Sequence, residues 1–478
     1  MTPEAPQVDP CNSNCTGTCE QDTGVKICNS QYQTVCVGNQ HIWQDLCSTA
    51  ESTCGACGAE QPTVQLGDNN STMVSARLDG WIGALVPYSG IEALTNMTSP
   101  QYQAVVWLAN EDEQQLPIGD SRGIQRFLLA TFYFALDGDN WVKCGRLDPS
   151  CSGDPYERSW LLDTEHQCDW LGVGCDVTDT KVTSIFFPRQ LGNGLKGTLP
   201  PEVAELAELK ALILHNNDLV GTLPTFLGKC KHMSVLVLLG NHFEGSIPSE
   251  LLTGATMLGT IHFGGNQLTG TIPSAIANLP IRTLTLSDNH FEGRIPEELG
   301  QLTSMTFLEL HQNNLTSTIP ESLYDLTSLK RIRLYENKLE GTLSSKLGQM
   351  SALEEFCVGN NAIAGSVPQE FYQMERIIDF RCENAALTGT LSNEIGNLSE
   401  NLRRVILGEN NMRGPLPIAG LELCFMLNEL ELHGNAFTGT ISKTICDRKG
   451  GRFFNLHNLT VPPEVDCSIE QNCCNLKG

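Results

Sequence analysis

Two arginines, Arg331 and Arg333, lie two positions apart, and Tyr335 follows at the same spacing. Alternate residues of a strand point to one face of a sheet, so these three side chains would project together. A guanidinium can hold a carboxylate or a sulfate through two parallel hydrogen bonds, and arginine and tyrosine are enriched at binding hot spots. The spacing therefore predicts a surface that binds a ligand with an anionic group. Its predicted residues are Phe307, Glu309, His311, Arg331, Arg333, Tyr335, Glu355 and Arg381.

The same residue types allow a second interpretation. Arginine and carboxylate side chains on neighbouring strands commonly pair with each other as a solvated ladder, with no ligand involved. A different candidate surface is an apolar group of side chains that earlier turns would present on the same face of the sheet. Its residues are Ala211, Ile213, Val235, Val237 and Leu239. The sequence leaves these alternatives open.

The sequence contains no known catalytic motif in the secondary-structure context that its chemistry requires. Gly192, Gly194 and Gly197 match the G-x-G-x-x-G pattern of nucleotide-binding loops, but they lie in repeat sequence and no helix signal follows them. The sequence contains no kinase H-R-D motif, no H-E-x-x-H, no G-x-S-x-G and no P-loop. We therefore predict a protein that is not an enzyme and that has no cofactor and no metal site.

The strands that must carry the candidate side chains belong to a repeat, whose template is Ile281–Pro296. Leu284 and Leu286 are spaced as in a strand, Asn289 turns the chain, and Gly293 permits a tight bend. A single turn cannot bury its own apolar edge, so the motif predicts a stack of about eleven turns over residues 182–442. The equivalent asparagines are Asn217, Asn241, Asn266, Asn289, Asn313, Asn337, Asn361, Asn410 and Asn435.

This asparagine series is predicted to form a buried ladder. An asparagine side chain has two N–H donors and an acceptor for the backbone groups that each turn leaves unpaired. One position in the series is Ala385. We expect a weak point there, or a place where water or Asn384 substitutes.

The pattern L-x-x-L-x-L-x-x-N-x-L-x-G-x-I-P over residues 182–442 resembles the plant-type extracellular leucine-rich repeat of receptor-kinase ectodomains, receptor-like proteins and polygalacturonase inhibitors. This resemblance implies an α/β solenoid, a right-handed superhelix with a parallel β-sheet on its concave face, which would bind the ligand. The stretch Cys168–Cys175, CDWLGVGC, is similar to the amino-terminal cap of such repeats. It implies the disulfides Cys168–Cys175 and Cys144–Cys151. The cap and the cysteine-rich tail are also similar to large secreted or membrane-anchored repeat proteins of diatoms and related algae.

Five segments are predicted along the chain. Residues 1–60 are a cysteine-rich disulfide module, in which a zinc site at His41, Cys54 and Cys57 is an alternative. Residues 61–98 are a linker with one hairpin around Trp81, and residues 99–181 are a helical amino-terminal cap with helices at 101–113 and 120–136. The repeats occupy 182–442. Residues 443–478 form a carboxy-terminal cap stapled by Cys446, Cys467, Cys473 and Cys474.

The twenty cysteines favour an oxidising compartment. Seven N-x-S/T sequons agree, and the predicted glycosylation sites are Asn96, Asn314, Asn397 and Asn458. We therefore expect an extracellular or cell-surface protein, including the ectodomain of a membrane protein. No signal peptide and no membrane-spanning segment is visible in this sequence.

These observations predict an extracellular recognition module, receptor-like, that binds a peptide, protein or glycan on the concave face and uses a co-receptor. The alternative is a structural or adhesive glycoprotein of a cell wall or matrix. A net charge of −25 would repel phosphate backbones, so we predict that the protein does not bind nucleic acid.

Overall fold

The computed structural model describes residues 69–146, 151, 159–161, 166–187, 192–447, 456, 458–467 and 475–476. The chain divides into two compact units, Met1–Val182 and Thr183–Gly478. The cysteine-rich module predicted for residues 1–60, with its zinc alternative, lies outside the described residues, and so do Cys473 and Cys474.

The first unit contains the helices α1 (Asn69–Thr95), α2 (Pro100–Asn110) and α3 (Ser121–Ala135). The prediction of a linker with a hairpin over residues 61–98 is wrong, because α1 occupies most of that range. Trp81 and Leu85 are fully buried and hold the helix in the core of the unit. Pro87 lies inside α1, and Gly90 interrupts it with a φ of 71°. These two helix-breaking residue types concealed the helix in the sequence.

The predicted starts of α2 and α3 are confirmed. Ser99 caps α2, because its hydroxyl accepts a hydrogen bond from the Tyr102 N–H at 2.9 Å. Asp120 caps α3 in the same way, with its carboxylate accepting from the N–H groups of Arg122 and Gly123 at 2.8 and 3.2 Å. Each cap satisfies backbone donors that the first helical turn leaves unpaired.

Both disulfides implied for the amino-terminal cap are confirmed. Cys144 pairs with Cys151 and Cys168 with Cys175, at Cα–Cα distances of 5.3 and 5.7 Å. The described residues between α3 and the repeats include the 3-10 helices Gly138–Asn140 and Gln167–Asp169 and the strand β1 (Val173–Cys175).

The second unit is a solenoid in which each turn adds one strand to a long parallel sheet. The strands of this sheet are β2 (Val182–Phe186), β4 (Ala211–Ile213), β6 (Val235–Val237), β8 (Thr260–His262), β10 (Thr283–Thr285), β12 (Phe307–Glu309), β14 (Arg331–Arg333), β16 (Glu355–Cys357), β18 (Asp379–Arg381), β20 (Arg404–Ile406), β22 (Glu429–Glu431), β24 (Asn458–Val461) and β26 (Asn475–Leu476). The strands from β2 to β22 correspond to the eleven predicted turns, which confirms the solenoid.

A second strand in each turn pairs with its equivalents in smaller parallel sheets. These strands are β3 (Lys196–Gly197), β5 (Asp218–Thr222), β7 (His242–Gly245), β9 (Gln267–Thr271), β11 (His290–Arg294), β13 (Asn314–Thr316), β15 (Glu340–Thr342), β17 (Ala362–Ser366), β19 (Ala386–Thr388), β21 (Arg413–Pro415), β23 (Ala436–Thr440) and β25 (Val465–Asp466).

Short helices complete the turns. The 3-10 helices are Pro201–Glu205, Thr225–Lys229, Ser274–Asn278, Glu297–Gln301, Glu321–Asp325, Ser345–Gln349, Gln369–Gln373 and Asn393–Leu398. The α-helices are α4 (Ser249–Gly254), α5 (Ile418–Leu421) and α6 (Lys443–Cys446).

The core is a column of apolar side chains that point inward from successive strands. Leu284 pairs in register with Ile261 and Leu308, and all three are fully buried. Among the described residues, no helix combines the length and the hydrophobicity needed to cross a bilayer.

The predicted asparagine ladder is present, and several of its backbone carbonyls accept hydrogen bonds from two asparagines. Asn289 Oδ1 accepts from the Leu268 N–H at 2.9 Å, and its Nδ2 donates to the carbonyls of Phe263, Leu286 and Ser287. Two of those carbonyls also accept from neighbouring ladder residues, since Asn266 donates to Phe263 and Asn313 donates to Leu286. Asn289 is therefore needed mainly for the Leu268 N–H, which donates to its side-chain oxygen.

Ala385 interrupts this ladder, as predicted. Leu339 and Leu387 donate their N–H groups to Asn361 and Asn410, so an asparagine at position 385 would accept from Ile363. The side chain of Asn384 is exposed and donates instead to Asn360 Oδ1 at 2.8 Å. The carbonyls are less affected, because Val358 and Cys382 still accept from the asparagines on either side.

We expect Ala385→Asn to raise the free energy of unfolding of the repeats by about 1 kcal/mol, because it supplies an acceptor for one part-buried N–H. Guanidinium unfolding followed by far-UV circular dichroism measures the change. Ala362→Asn is the matched control, since Ala362 is an exposed residue of the neighbouring β17. No gain at position 385 would mean that water already satisfies the Ile363 N–H.

The carboxy-terminal segment continues the sheet with β24 and β26. Cys446 and Cys467 are each disulfide-bonded, which agrees with a stapled cap over residues 443–478. Cys230, Cys357, Cys382 and Cys424 are buried within the repeats.

Candidate functional site

The outward-facing side chains of the long sheet form one surface, which we call the concave face. Strand register places Phe307 beside Arg331, Arg331 beside Glu355 and Glu355 beside Asp379. Glu309, Arg333, Cys357 and Arg381 form the adjoining row in the same order. Most of the predicted site residues therefore lie on these two rows of β12, β14, β16 and β18, while His311 and Tyr335 follow the strand ends.

The arginines of the predicted cluster pair with carboxylates on both neighbouring strands. Arg331 Nε and Arg333 Nε donate to the two carboxylate oxygens of Glu355, each at 2.7 Å. Terminal nitrogens of the same arginines lie 3.3 and 3.4 Å from Glu309 Oε1. Burial disfavours ionised Glu355, but hydrogen bonds and charge from Arg333 and Arg331 keep its pKa below the usual value. Two positive and two negative charges balance, so the cross-strand ladder allowed by the sequence is present.

Arg381 and Arg404 form a different arrangement. Arg381 Nε lies 2.9 and 3.0 Å from the two carboxylate oxygens of Asp379. Arg404, on the next strand, reaches Asp379 Oδ2 at 2.6 Å. Asp379 is almost completely buried. The sequence prediction included Arg381 but omitted both Asp379 and Arg404.

A depression of about 350 Å³ opens on the concave face above β8, β10, β12 and β14. Its lining residues are Thr260, His262, Thr283, Thr285, Phe307, Glu309 and Arg331. Three of these belong to the predicted site. The threonines and His262 were not included in it, although they lie on strands directly before Phe307 and alternate in the same way.

Two imidazole nitrogens on this face are buried without a hydrogen-bond partner among the described residues. They are Nε2 of His262, a residue that lines the depression, and Nδ1 of His311. Burial lowers the pKa of both histidines, which favours neutral rings near pH 7. Buried polar groups are normally paired, so each nitrogen needs a partner that the described residues do not supply, either water or a ligand group.

Two aromatic contacts order side chains of the concave face in and beside the depression. The ring of His311 stacks on Tyr335 with centroids 4.3 Å apart. The Arg331 guanidinium lies over the Phe307 ring, 5.2 Å from its centroid. Because Arg331 is also bound by two carboxylates, the rim is ordered without a ligand.

Glu355, Cys357 and Asp379 each place one potential metal-ligand atom within 4.8 Å of the others. Both carboxylates are already bound by arginines, whose positive charge opposes a cation, so we assign no metal to this cluster. Cys357 lies on β16 in the row of Arg333 and Arg381. Its side chain is only 2% exposed, and this burial raises the pKa of its thiol.

The four predicted glycosylation sites differ in their surroundings. Asn96 and Asn397 are exposed, and Asn314 lies half-buried on β13. Asn458 lies on β24 and donates hydrogen bonds to Glu429 and Glu431 on β22. The depression contains no sequon.

Comparison with known proteins identifies the repeat. The profile of the Leucine Rich Repeat family matches residues 257–279 and 280–302. The solved structure of the Arabidopsis receptor kinase HAESA in complex with the peptide hormone IDA and the co-receptor SERK1 is similar, with a TM-score of 0.58 and 26% sequence identity. That similarity covers 74% of this chain and 57% of the HAESA chain. The chain contains leucine-rich repeats of the plant type, which resemble those of receptor-kinase ectodomains.

Two relatives from Arabidopsis thaliana match parts of the chain. The LRR receptor-like serine/threonine-protein kinase FEI 2 is 36% identical over 58 residues, which is 12% of this chain and 9% of the relative. Protein MALE DISCOVERER 1 is 32% identical over 108 residues, or 21% of this chain and 15% of the relative. The chain thus resembles leucine-rich repeat receptor kinases over a small part of their length, and the similarity to algal repeat proteins stays a prediction.

Proposed function

We propose that this protein is a non-enzymatic, extracellular or cell-surface recognition module whose leucine-rich repeat domain binds a peptide, protein or glycan on its concave face. The depression at His262 is the observation that carries this proposal. It combines an open cavity, threonine hydroxyls, an aromatic ring and a buried imidazole nitrogen that has no partner among the described residues.

The volume and composition of the depression suit a small part of a larger ligand. Its 350 Å³ lies at the lower end of the range of about 300–1,000 Å³ typical of ligand pockets. The neutral His262 ring can accept or donate one hydrogen bond, and the side chains of Thr260 and Thr283 add hydroxyl groups beside it. This set favours a hydroxyl or amide group, which both peptides and sugars provide.

The ordered rim supports the same proposal. Glu309 and Glu355 fix Arg331 and Arg333, so little side-chain entropy remains to be lost when a ligand binds. Glu309, Arg333, Tyr335, Glu355 and Arg381 extend the proposed surface beyond the depression. The similar HAESA structure contains a peptide hormone and a co-receptor, which makes a peptide ligand and a second receptor subunit our preferred partners here.

Thr283→Arg tests the proposal. Thr283 lies on β10, between β8 and β12, so a long arginine side chain at this position would fill the depression. The immobilised full chain is screened against a random-peptide display library and a glycan array, and the affinity of the best ligand is then measured. We expect Thr283→Arg to weaken that ligand at least 100-fold. Thr269→Arg on β9 is the matched control and should stay within twofold, since Thr269 is exposed on a side sheet.

Binding that survives Thr283→Arg would contradict this location of the site. A chain that captures no ligand, and that stays insoluble in extracts of its source until disulfides are reduced, would favour the alternative of a structural or adhesive glycoprotein. That alternative depends on the predicted cysteine-rich module and on the sequons.

A further inference from the structure

A second depression, of about 360 Å³, lies outside the concave face. It opens where two successive turns lead from their 3-10 helices, Ser345–Gln349 and Gln369–Gln373, into β16 and β18. We call this depression the flank cleft. Its lining residues are Gly348, Ser351, Ala352, Gln373, Glu375 and Arg376. The flank cleft thus shares no residue with the proposed ligand site.

The two walls of the flank cleft differ in the length of their side chains. The register that pairs β16 with β18 relates Ser351 to Glu375 and Ala352 to Arg376 in the next turn. One wall therefore ends in a hydroxymethyl and a methyl group, whereas the other carries long charged side chains. The short wall leaves room beside the long one.

Gly348 contributes to the opening of the cleft. The 3-10 helices of the turns on either side have Tyr324 and Tyr372 at the same position, the fourth residue. A Cβ on Gly348 would lie 2.5 Å from the carbonyl oxygen of Glu370, so the two turns are in close contact at this residue. The cleft lies between the residues that follow this contact.

The charged side chains of the cleft differ from those around it. In neighbouring turns, Lys346 lies 2.8 Å from an oxygen of Asp325 and Lys330 lies 3.3 Å from an oxygen of Glu354. Glu375 and Arg376 are exposed, and neither forms an ion pair within the described part of the chain. Their opposite charges keep the cleft neutral in a chain of net charge −25, and both remain available to a partner.

We propose that the flank cleft is an interface between two copies of this chain, related by a twofold axis. In such a contact each residue meets a different residue of the other copy, and the same contact occurs a second time with the copies exchanged. Glu375 of one copy pairs with Arg376 of the other, and Arg376 pairs with Glu375. The long wall of each copy enters the space beside Ser351 and Ala352 of the other.

The lining of the cleft suits a protein surface better than a small molecule. Most small-molecule pockets are lined by apolar and aromatic side chains, and the flank cleft has no aromatic and no large apolar residue in its lining. Arginine is enriched at protein interfaces. Exposed ion pairs contribute little individually, and the negative charge of each copy opposes association. We therefore expect a reversible dimer that forms at high concentration.

Sedimentation equilibrium of the full chain measures this association directly. An ionic strength of about 0.15 M limits long-range repulsion between the acidic copies, because the screening length is then about 8 Å. We expect a monomer–dimer equilibrium that dilution reverses, which distinguishes it from dimers linked by disulfides. A chain that stays monomeric up to its solubility limit would overturn the proposal.

Charge-reversal variants locate the interface. Glu375→Arg and Arg376→Glu each place like charges across the twofold axis, so each should weaken dimerisation by about tenfold or more. Glu292→Arg, at an exposed position of β11, changes the net charge by the same amount as Glu375→Arg and is the matched control. It should dimerise at least as readily as the natural chain. Dimerisation that ignores both reversals would place the interface elsewhere and overturn the proposal.

A mixture of the two variants gives the sharpest test. One copy then carries two positive charges in the cleft and the other carries two negative charges, so both ion pairs are restored in a heterodimer. We expect the equimolar mixture to dimerise about as readily as the natural chain, while each variant alone does not. Failure of the mixture to associate would contradict the twofold pairing of Glu375 with Arg376.

Discussion

Arg126→Ala should destabilise the first unit by about 3–5 kcal/mol, which is the usual cost of removing one partner from a buried ion pair. Arg126 and Asp112 are both fully buried. Arg126 Nε and a terminal nitrogen donate to the two carboxylate oxygens of Asp112 at 2.8 and 2.7 Å. The guanidinium also lies 5.2 Å from the ring of Trp107 and 4.9 Å from that of Trp170. Alanine would leave the Asp112 carboxylate buried with no opposite charge.

Tryptophan fluorescence measures this loss selectively, because all six tryptophans of the chain lie in the first unit. Urea unfolding of the natural chain and of the variant gives the difference in free energy. Arg146→Ala is the matched control. Its ion pair with Asp139, at 2.9 Å, is 32% and 39% exposed, so its removal should cost less than about 1 kcal/mol. A similar small loss for Arg126→Ala would contradict the importance of the buried pair.

The double variant Arg126→Met with Asp112→Leu separates the charge from the packing. Replacing a whole buried ion pair by apolar residues of similar size is often neutral or stabilising. We therefore expect the double variant to recover most of the stability that Arg126→Ala loses. A loss as large as in the single variant would show that the tryptophan contacts, and not the unpaired carboxylate, dominate.

The repeats could be predicted from sequence because their signal recurs eleven times. A position such as Leu284 must be apolar in every turn, so its role is visible without any structure. The helix α1 could not be predicted in this way. It occurs once, and Pro87 and Gly90 are residues that normally end helices.

The candidate site was predictable only in part, for a related reason. The repeat register places Arg331, Arg333 and Arg381 on one face, and this placement is correct. Which carboxylate each guanidinium chooses depends on side-chain rotamers across neighbouring strands, and the repeat does not encode them. Nothing in the repeat pattern therefore indicated that Asp379 is buried and binds both Arg381 and Arg404.

Asn289→Ala should destabilise the leucine-rich repeat domain by about 2 kcal/mol, the cost of leaving a buried donor without an acceptor. The loss is limited to one group, because the carbonyls of Phe263 and Leu286 keep Asn266 and Asn313 as donors. Only the Leu268 N–H, which donates to Asn289 Oδ1 at 2.9 Å, loses its side-chain acceptor. The variant thus reproduces, in the middle of the ladder, the gap that Ala385 makes naturally.

Hydrogen exchange at Leu268 is the direct measurement. We expect the Leu268 amide to exchange much faster in Asn289→Ala, while far-UV circular dichroism retains the signal of the folded repeats. Asn278→Ala is the matched control in the turn that contains Leu268, since Asn278 is exposed at the end of a 3-10 helix and should change stability by less than about 0.5 kcal/mol. If Leu268 stayed protected, water would be replacing the side chain, and the interruption at Ala385 would then cost the natural protein almost nothing.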